Sequence, residues 1–282
     1  MANKFKRFWR ILGPGVITGA SDDDPSGIAT YSQTGAQFGY GQLWTALFSL
    51  PFMIVIQEMC GRIGLVTGRG LAGVIRANYS KKLLYLAVFL LLVANTVNIG
   101  ADLGAMAASL QLVINLPFVF WLLAITALTL FLEIFVSYRV YARYLMWLTF
   151  SLLAYFITAL IIKQDWSAVA RSTFVPLVVF SHDYILNIVA FLGTTISPYL
   201  FFWQASAEVE EEVESGKLRM MGRGVPKISK GDINRMRSDT ILGMSFSNLA
   251  AFFIILTVAG TLYQAGIRNI DTAAQAADAL RP

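Results

Sequence analysis

The sequence predicts an all-α integral membrane protein built on an inverted repeat with two broken helices. Three observations carry that expectation. Of 282 residues 56% are hydrophobic and 14% charged, against roughly 25% charged in an ordinary soluble domain; the mean hydropathy is +0.62. Seven apolar stretches, at about 11–38, 42–64, 83–112, 117–138, 144–162, 183–207 and 239–263, approach or exceed the roughly 20 residues that a bilayer-crossing helix needs. The first and sixth of these are interrupted by helix-breaking residues, five spans apart and running in opposite directions, as two inverted five-helix halves require.

The first span sets the functional question. Asp22-Asp23-Asp24-Pro25-Ser26-Gly27 places three carboxylates and two helix breakers inside apolar sequence. A carboxylate at bilayer depth is costly unless it faces protein, water or a cation, so an acidic triplet there points to an ion site. Proline lacks an N–H and glycine relaxes the backbone, so a break over 22–27 is expected, with carbonyls turned into it. The preceding Lys4, Lys6, Arg7 and Arg10 and the lack of an Ala-x-Ala signal indicate a retained first span.

The second span ends in a glycine-rich turn, 61–70, that lacks the Gly-Lys-Ser/Thr ending of a phosphate loop. The third carries Asn95, Asn98 and Asp102 beside Gly100, Ala101, Gly104, Ala105, Ala107 and Ala108, a small-residue face expected to pack against other helices. Asp102 is either part of a polar pathway or a structural hydrogen-bond hub. The fourth and fifth spans read as scaffold, with Glu133 solvated, and His182 is placed in a solvated loop. The sixth breaks at 193–199, through Gly193-Thr194-Thr195-Ile196-Ser197-Pro198-Tyr199. Half-helix C-terminal ends and carbonyls at such a pair of breaks suit a cation, and the acidic triplet suits a cation better than any anion. The following Glu208, Glu210, Glu211, Glu212 and Glu214 read as a solvated continuation into a basic cytoplasmic loop.

Lys and Arg favour one side: residues 4–10, 62–82, 139–143 and 217–237 on it, and Lys163, Arg171, Arg268 and Arg281 on the other. This puts the N-terminus in the cytoplasm of a multi-pass plasma (inner) membrane protein. The net charge of +5 is thereby explained by topology, and no basic-aromatic motif for nucleic acid is present. A single cysteine, Cys60, excludes a disulfide framework. One transmembrane domain is expected over 1–282: a first repeat at about 11–163, the first two helices of a second at about 183–263, and an external loop or truncated end at 264–282.

Gly13-Pro14-Gly15, Asp24-Pro25, Gly35-Ala36-Gln37-Phe38-Gly39-Tyr40, Gly64-Leu65-Val66-Thr67-Gly68 and Ala101-Asp102-Leu103 together resemble the Nramp divalent-metal transporters, in order from about residue 11 to 263. The resemblance implies a LeuT-type fold, normally of about eleven helices, and metal import. In the family the first break reads Asp-Pro-Gly-Asn and the sixth helix Met-Pro-His. By position Asp24 matches the family aspartate and Thr194 the carbonyl donor. Gly27 stands at the asparagine, Ser197 at the methionine, Tyr199 and Gln204 at the two histidines of the sixth helix, and Ala105 at the acid used in proton movement, while Asp102 is kept.

These departures have a direction. A thioether favours transition metals; a hydroxyl or water in its place leaves a hard, all-oxygen site. The smaller Gly27 and Ser197 leave room for Mg²⁺, which dehydrates reluctantly and keeps waters beside one or two carboxylates. The pattern is similar to that of the Nramp-related magnesium transporters, a branch of the same family. The resemblance therefore implies Mg²⁺ uptake, with Mn²⁺ as a second substrate, without obligatory proton coupling. Asp24 is the principal ligand, Asp22 and Asp23 supply charge or carbonyls, Gly27, Thr194 and Ser197 complete the metal site, and Asp102, Tyr199 and Gln204 form a polar pathway. The ion is the substrate; no cofactor or enzymatic activity is expected, the partners are the ion and the lipid bilayer, and the oligomeric state is left open. The alternatives are a proton-coupled Mn²⁺/Fe²⁺ symporter, disfavoured by Gly27, Ser197 and Ala105, and an inactive fragment of such a transporter. An aspartyl protease using Asp24 and Asp102 lacks the Gly-x-Gly-Asp context.

Overall fold

The computed structural model of the chain describes residues 14–136 and 150–270. Lys4, Lys6, Arg7, Arg10, Gly13, Arg139, Arg143, Arg281 and Pro282, the start of the first span and the start of the fifth lie outside the described residues. The elements are α1 (Pro14–Asp22), α2 (Pro25–Phe38), α3 (Leu43–Thr67), α4 (Leu71–Asn78), α5 (Lys81–Val113), α6 (Phe118–Phe135), α7 (Leu153–Ile161), α8 (Trp166–Phe174), α9 (His182–Thr195), α10 (Pro198–Glu214) and α11 (Lys230–Val258), the last running into a π-turn, Ala259–Tyr263. Among the described residues no strand forms beyond an isolated bridge between Met220 and Arg223.

Among the described residues five stretches are long and apolar enough to cross a bilayer: Pro25–Thr67, Lys81–Val113, Phe118–Phe135, His182–Glu214 and Lys230–Tyr263. Both interruptions are present, and both are shorter than the sequence suggested. The first is Asp23-Asp24 between α1 and α2, and the second Ile196-Ser197 between α9 and α10. The reason is the same at each. Pro25 and Pro198 occupy the first helical position, where a fixed φ suits the helix and a missing N–H loses nothing, so each proline opens the next half. Two short helices were not anticipated. One is α4; the other is α8, capped by Asp165, whose Oδ1 accepts from the N–H groups of Ser167 and Ala168 at 3.1 Å each. His182 is the first residue of α9 and not a loop residue, though it is exposed as expected.

The chain divides into two compact units that interleave along the sequence. The first contains residues 1–22, 50–96 and 196–247. Within it α1 lies against α11 on a Gly-x-x-x-Gly face: a Cβ on Gly15 would fall 2.6 Å from the Thr240 nitrogen, and one on Gly243 would fall 2.7 Å from the Gly15 carbonyl carbon. Small residues there let two backbones touch. Gly64 of α3 meets the backbone of Ala205 of α10 in the same way. Gly68, at φ +62°, ends α3, and its carbonyl accepts from the Gly222 N–H at 2.7 Å.

The second unit contains residues 23–49, 97–195 and 248–282. Its core joins Tyr31, Ala36 and Leu43 with Leu152, Tyr155, Phe191 and the Ala250–Leu262 segment of α11 and its π-turn. Tyr31 and Phe191 meet at 5.4 Å between ring centroids, and Phe156 stacks on Phe253 at 4.2 Å. The small-residue face of the third span is a correction: among the described residues Ala107 is its one buried member, and a Cβ on Gly100 or Gly104 would meet nothing within 4 Å.

This contrast makes a prediction. Gly243→Ala forces α1 and α11 apart and destabilises the protein by about 1–3 kcal/mol, the usual penalty of overpacking. Gly100→Ala meets no obstacle and gains helix propensity worth about 1 kcal/mol. Thermal unfolding in detergent should move the two midpoints in opposite directions.

Candidate ion-binding site

The N-terminus of α2 is where two carboxylates come together in the second unit. A helix start leaves its first N–H groups without intrahelical partners and carries partial positive charge. Asp24 answers this locally: it is the N-cap, and its Oδ1 accepts from the Gly27 N–H at 2.7 Å. Asp102 answers it from α5, its Oδ1 accepting from the Ser26 N–H at 3.1 Å. Two acidic side chains, 78 positions apart in sequence, therefore cap one helix.

Asn98 joins them. Its Nδ2 donates to Asp24 Oδ2 at 3.0 Å and to Asp102 Oδ2 at 3.2 Å, the second being an i, i+4 contact along α5. The amide orientation follows from this network, since a flip would aim its carbonyl at both carboxylates. The Ser26 hydroxyl faces Asp24 Oδ1 at 2.6 Å and Asn98 Oδ1 at 2.8 Å, and its single proton can serve one of these at a time. The result is two carboxylates held by shared neutral donors at a helix N-terminus.

Of the residues singled out from sequence, Asp24, Gly27 and Asp102 are thus brought together, Gly27 through its N–H. Asp102 has the hub geometry, and Ser26 and Asn98 are members whose part sequence reasoning missed. The available signal was the four-residue spacing of Asn98 and Asp102. Asp23 is buried in the same unit. Thr194 lies in the last turn of α9, the negative end of the helix dipole, and its neighbour Thr195 is buried with its hydroxyl 3.4 Å from the Tyr31 hydroxyl.

The other singled-out residues belong to the first unit. Asp22 is fully buried and accepts from the Ser247 hydroxyl at 2.7 Å. Ser197 is buried at the N-cap of α10 and makes no side-chain capping bond; Tyr199, two residues on in the first turn, is half-buried. Gln204 is fully buried in a hydrogen-bonded chain: its Oε1 accepts from Thr18 Oγ1 at 2.6 Å and from Gln57 Nε2 at 3.4 Å, and its Nε2 donates to Glu208 Oε1 at 2.8 Å. Glu208 and Glu212 overturn the expectation of a solvated acidic run, being 3% and 2% exposed. They continue, at four-residue steps, the buried stripe of Leu200 and Gln204 on α10, while Glu210 and Glu214 face outward. Among the described residues no three His, Cys, Asp or Glu side chains converge closely enough to hold an ion directly.

The Asn98 bridge can be tested by itself. Asn98→Ala leaves two part-buried carboxylates without their common donor, at about 1–3 kcal/mol. The unfolding midpoint should fall, and Asn98→Gln, which keeps the amide, should fall less.

A family profile described as "Natural resistance-associated macrophage protein-like" matches residues 15–282. The chain is 27% identical over 292 residues to a protein of Agrobacterium fabrum named divalent metal cation transporter MntH, aligning over all of this chain and 60% of that one. It is 27% identical over 283 residues to metal transporter Nramp6.2 of Populus trichocarpa, covering 97% of this chain and 49% of the relative. The fold is similar to that of a crystallised Eremococcus coleocola manganese transporter mutant, with a TM-score of 0.70 at 18% identity over 90% of this chain and 52% of that one. The chain thus spans about three-fifths or less of the length of these relatives.

Proposed function

Because this chain belongs to the Nramp family, we propose that it acts in moving a divalent metal cation across a membrane, with Asp24 as the principal ligand. The observation that carries the reading is the Asp24–Asn98–Asp102 cluster at the start of α2, where the break in the first span presents carboxylate oxygens held by neutral donors. The first two relatives named above are called a divalent metal cation transporter and a metal transporter, and the solved one a manganese transporter, so Mn²⁺ is within the expected range.

Within that class the reading favours Mg²⁺. Ser197 stands where the family has methionine and Gly27 where it has asparagine, so the soft donor is gone and the remaining donors are oxygens. Hard oxygen sites suit Mg²⁺ and Mn²⁺, and a roomier one suits a cation that keeps part of its water. Ala105 in place of an acid removes a proton carrier, so uptake proceeds without obligatory proton coupling. The N-terminus is cytoplasmic on the Lys/Arg distribution.

The test is uptake into proteoliposomes loaded with a Mg²⁺-sensitive dye, beside a parallel pH dye. Mg²⁺ entry without lumenal acidification supports the reading. Entry of Mn²⁺ alone sinks the Mg²⁺ assignment, and metal-driven acidification sinks the uncoupled one.

A further inference from the structure

Two connections of the first unit form one basic face. Residues 68–82, from the end of α3 to the start of α5, and residues 215–230, from the end of α10 to the start of α11, hold nine Lys and Arg and not one Asp or Glu. The Gly222 N–H donates to the Gly68 carbonyl at 2.7 Å, and a Cβ on Gly68 would lie 3.0 Å from the side chains of Leu218 and Pro226, so the two connections touch and stand at one end of the helices they join. Lys217 is paired with Asp232. The other eight, among them Arg69, Arg76, Arg219 and Arg223, are exposed, and none forms an ion pair among the described residues. Apolar side chains stand open between them: Val225 is 85% exposed, Tyr79 62% and Met220 52%.

Water or a soluble anion serves the cations alone. The headgroup layer of a bilayer, where acidic phosphates meet the first acyl carbons, serves the cations and the apolar side chains together. Two open grooves give this face its shape. One, of about 360 Å³, is lined by Arg69, Gly70, Gly73, Phe202 and Met221 among others, and the second, of about 310 Å³, by Arg69, Val74, Asn78, Val225 and Pro226 among others. Arg69 lines both. Its guanidinium is a planar fork that can take two phosphate oxygens at once, and the apolar walls beside it suit hydrocarbon. We propose that this face binds an anionic phospholipid of the surrounding leaflet, with the lipid phosphate on Arg69 and an acyl chain in a groove beside α4. α4 fits the interfacial layer, since Leu71, Val74 and Ile75 are half-buried and Arg76 and Asn78 face outward. The proposal rests on the chain lying in a bilayer and on no assignment of the transported ion.

Native mass spectrometry of the full chain in a neutral detergent, offered equal amounts of phosphatidylglycerol and phosphatidylcholine, counts the lipids bound. Phosphatidylglycerol is expected to be retained in preference. Arg69→Gln should weaken that binding about fivefold, the share of one cation at an acidic surface, and adding Arg223→Gln should weaken it further. Arg69→Lys, which keeps the charge and loses the fork, should fall between the parent and Arg69→Gln. Arg171→Gln, at an exposed cation of the second unit, should leave binding unchanged. Equal retention of the two lipids overturns the proposal, and so does a preference that survives the Arg69→Gln and Arg223→Gln pair or that falls as far with Arg171→Gln. Displacement of the lipid by an equal concentration of glycerol phosphate would mark a site for free phosphate, and binding of polyglutamate without any lipid preference would mark a site for an acidic protein; either result overturns it too. Uptake enters none of these outcomes, so this proposal and the transport reading fail separately.

Discussion

Asp24→Asn is expected to abolish metal uptake while leaving α2 capped. Asparagine keeps an oxygen where Asp24 Oδ1 accepts the Gly27 N–H at 2.7 Å, and asparagine is as good an N-cap as aspartate. What it loses is the charge. Losing a charged partner at this part-buried position costs up to about 3 kcal/mol, which lowers ion affinity by up to roughly a hundredfold. The second loss is geometric: the Asn98 amide, which donates to Asp24 Oδ2 at 3.0 Å, can then face an NH₂ and must turn away. Asp24→Ala should lose uptake to the same extent and in addition lose the cap, at about 1 kcal/mol. Measured together, uptake and thermal midpoint separate the two roles. Equal uptake by Asp24→Asn and the parent protein would remove Asp24 from the site.

The two breaks were legible in the sequence because the signal is chemical and local. Carboxylates do not stand in apolar spans without cause, and Pro25 and Pro198 mark positions where a helix restarts. The prolines were read as widening each break; they narrow it, since a proline at the first helical turn belongs to the helix that follows. The role of Asn98 was not legible. Its partners lie 74 positions away and on its own helix face, and a single chain reveals the second relation but not the first. The glutamate run misled for the opposite reason. Five acids in seven positions read as a solvated face, yet the buried stripe of α10 steps by four through Leu200, Gln204, Glu208 and Glu212. Periodicity was the better guide than composition, and the two acids it selects, Glu208 and Glu212, are the buried ones. The small-residue face of α5 shows the limit from the other side: the glycines were read correctly as permissive to close approach, but no described helix takes the opportunity at Gly100 or Gly104.

Ser197→Met is expected to shift preference from Mg²⁺ towards Mn²⁺ by about tenfold in competitive uptake, because a thioether adds a soft donor that Mn²⁺ tolerates and Mg²⁺ does not. The position suits the experiment. Ser197 makes no side-chain capping bond to α10, and Pro198 already fixes the first helical residue, so the hydroxyl is not needed to start the helix. It is, however, 2% exposed, and methionine adds volume to a packed site at a penalty of about 1–3 kcal/mol. Ser197→Cys separates the two effects, since it introduces sulfur at nearly unchanged volume. If softness governs selectivity, both variants favour Mn²⁺, cysteine with the smaller change in thermal midpoint. If volume governs it, methionine depresses uptake of both ions and cysteine leaves the Mg²⁺ to Mn²⁺ ratio where it was; that outcome would return the hard-site argument to Asp24 and its neutral donors alone.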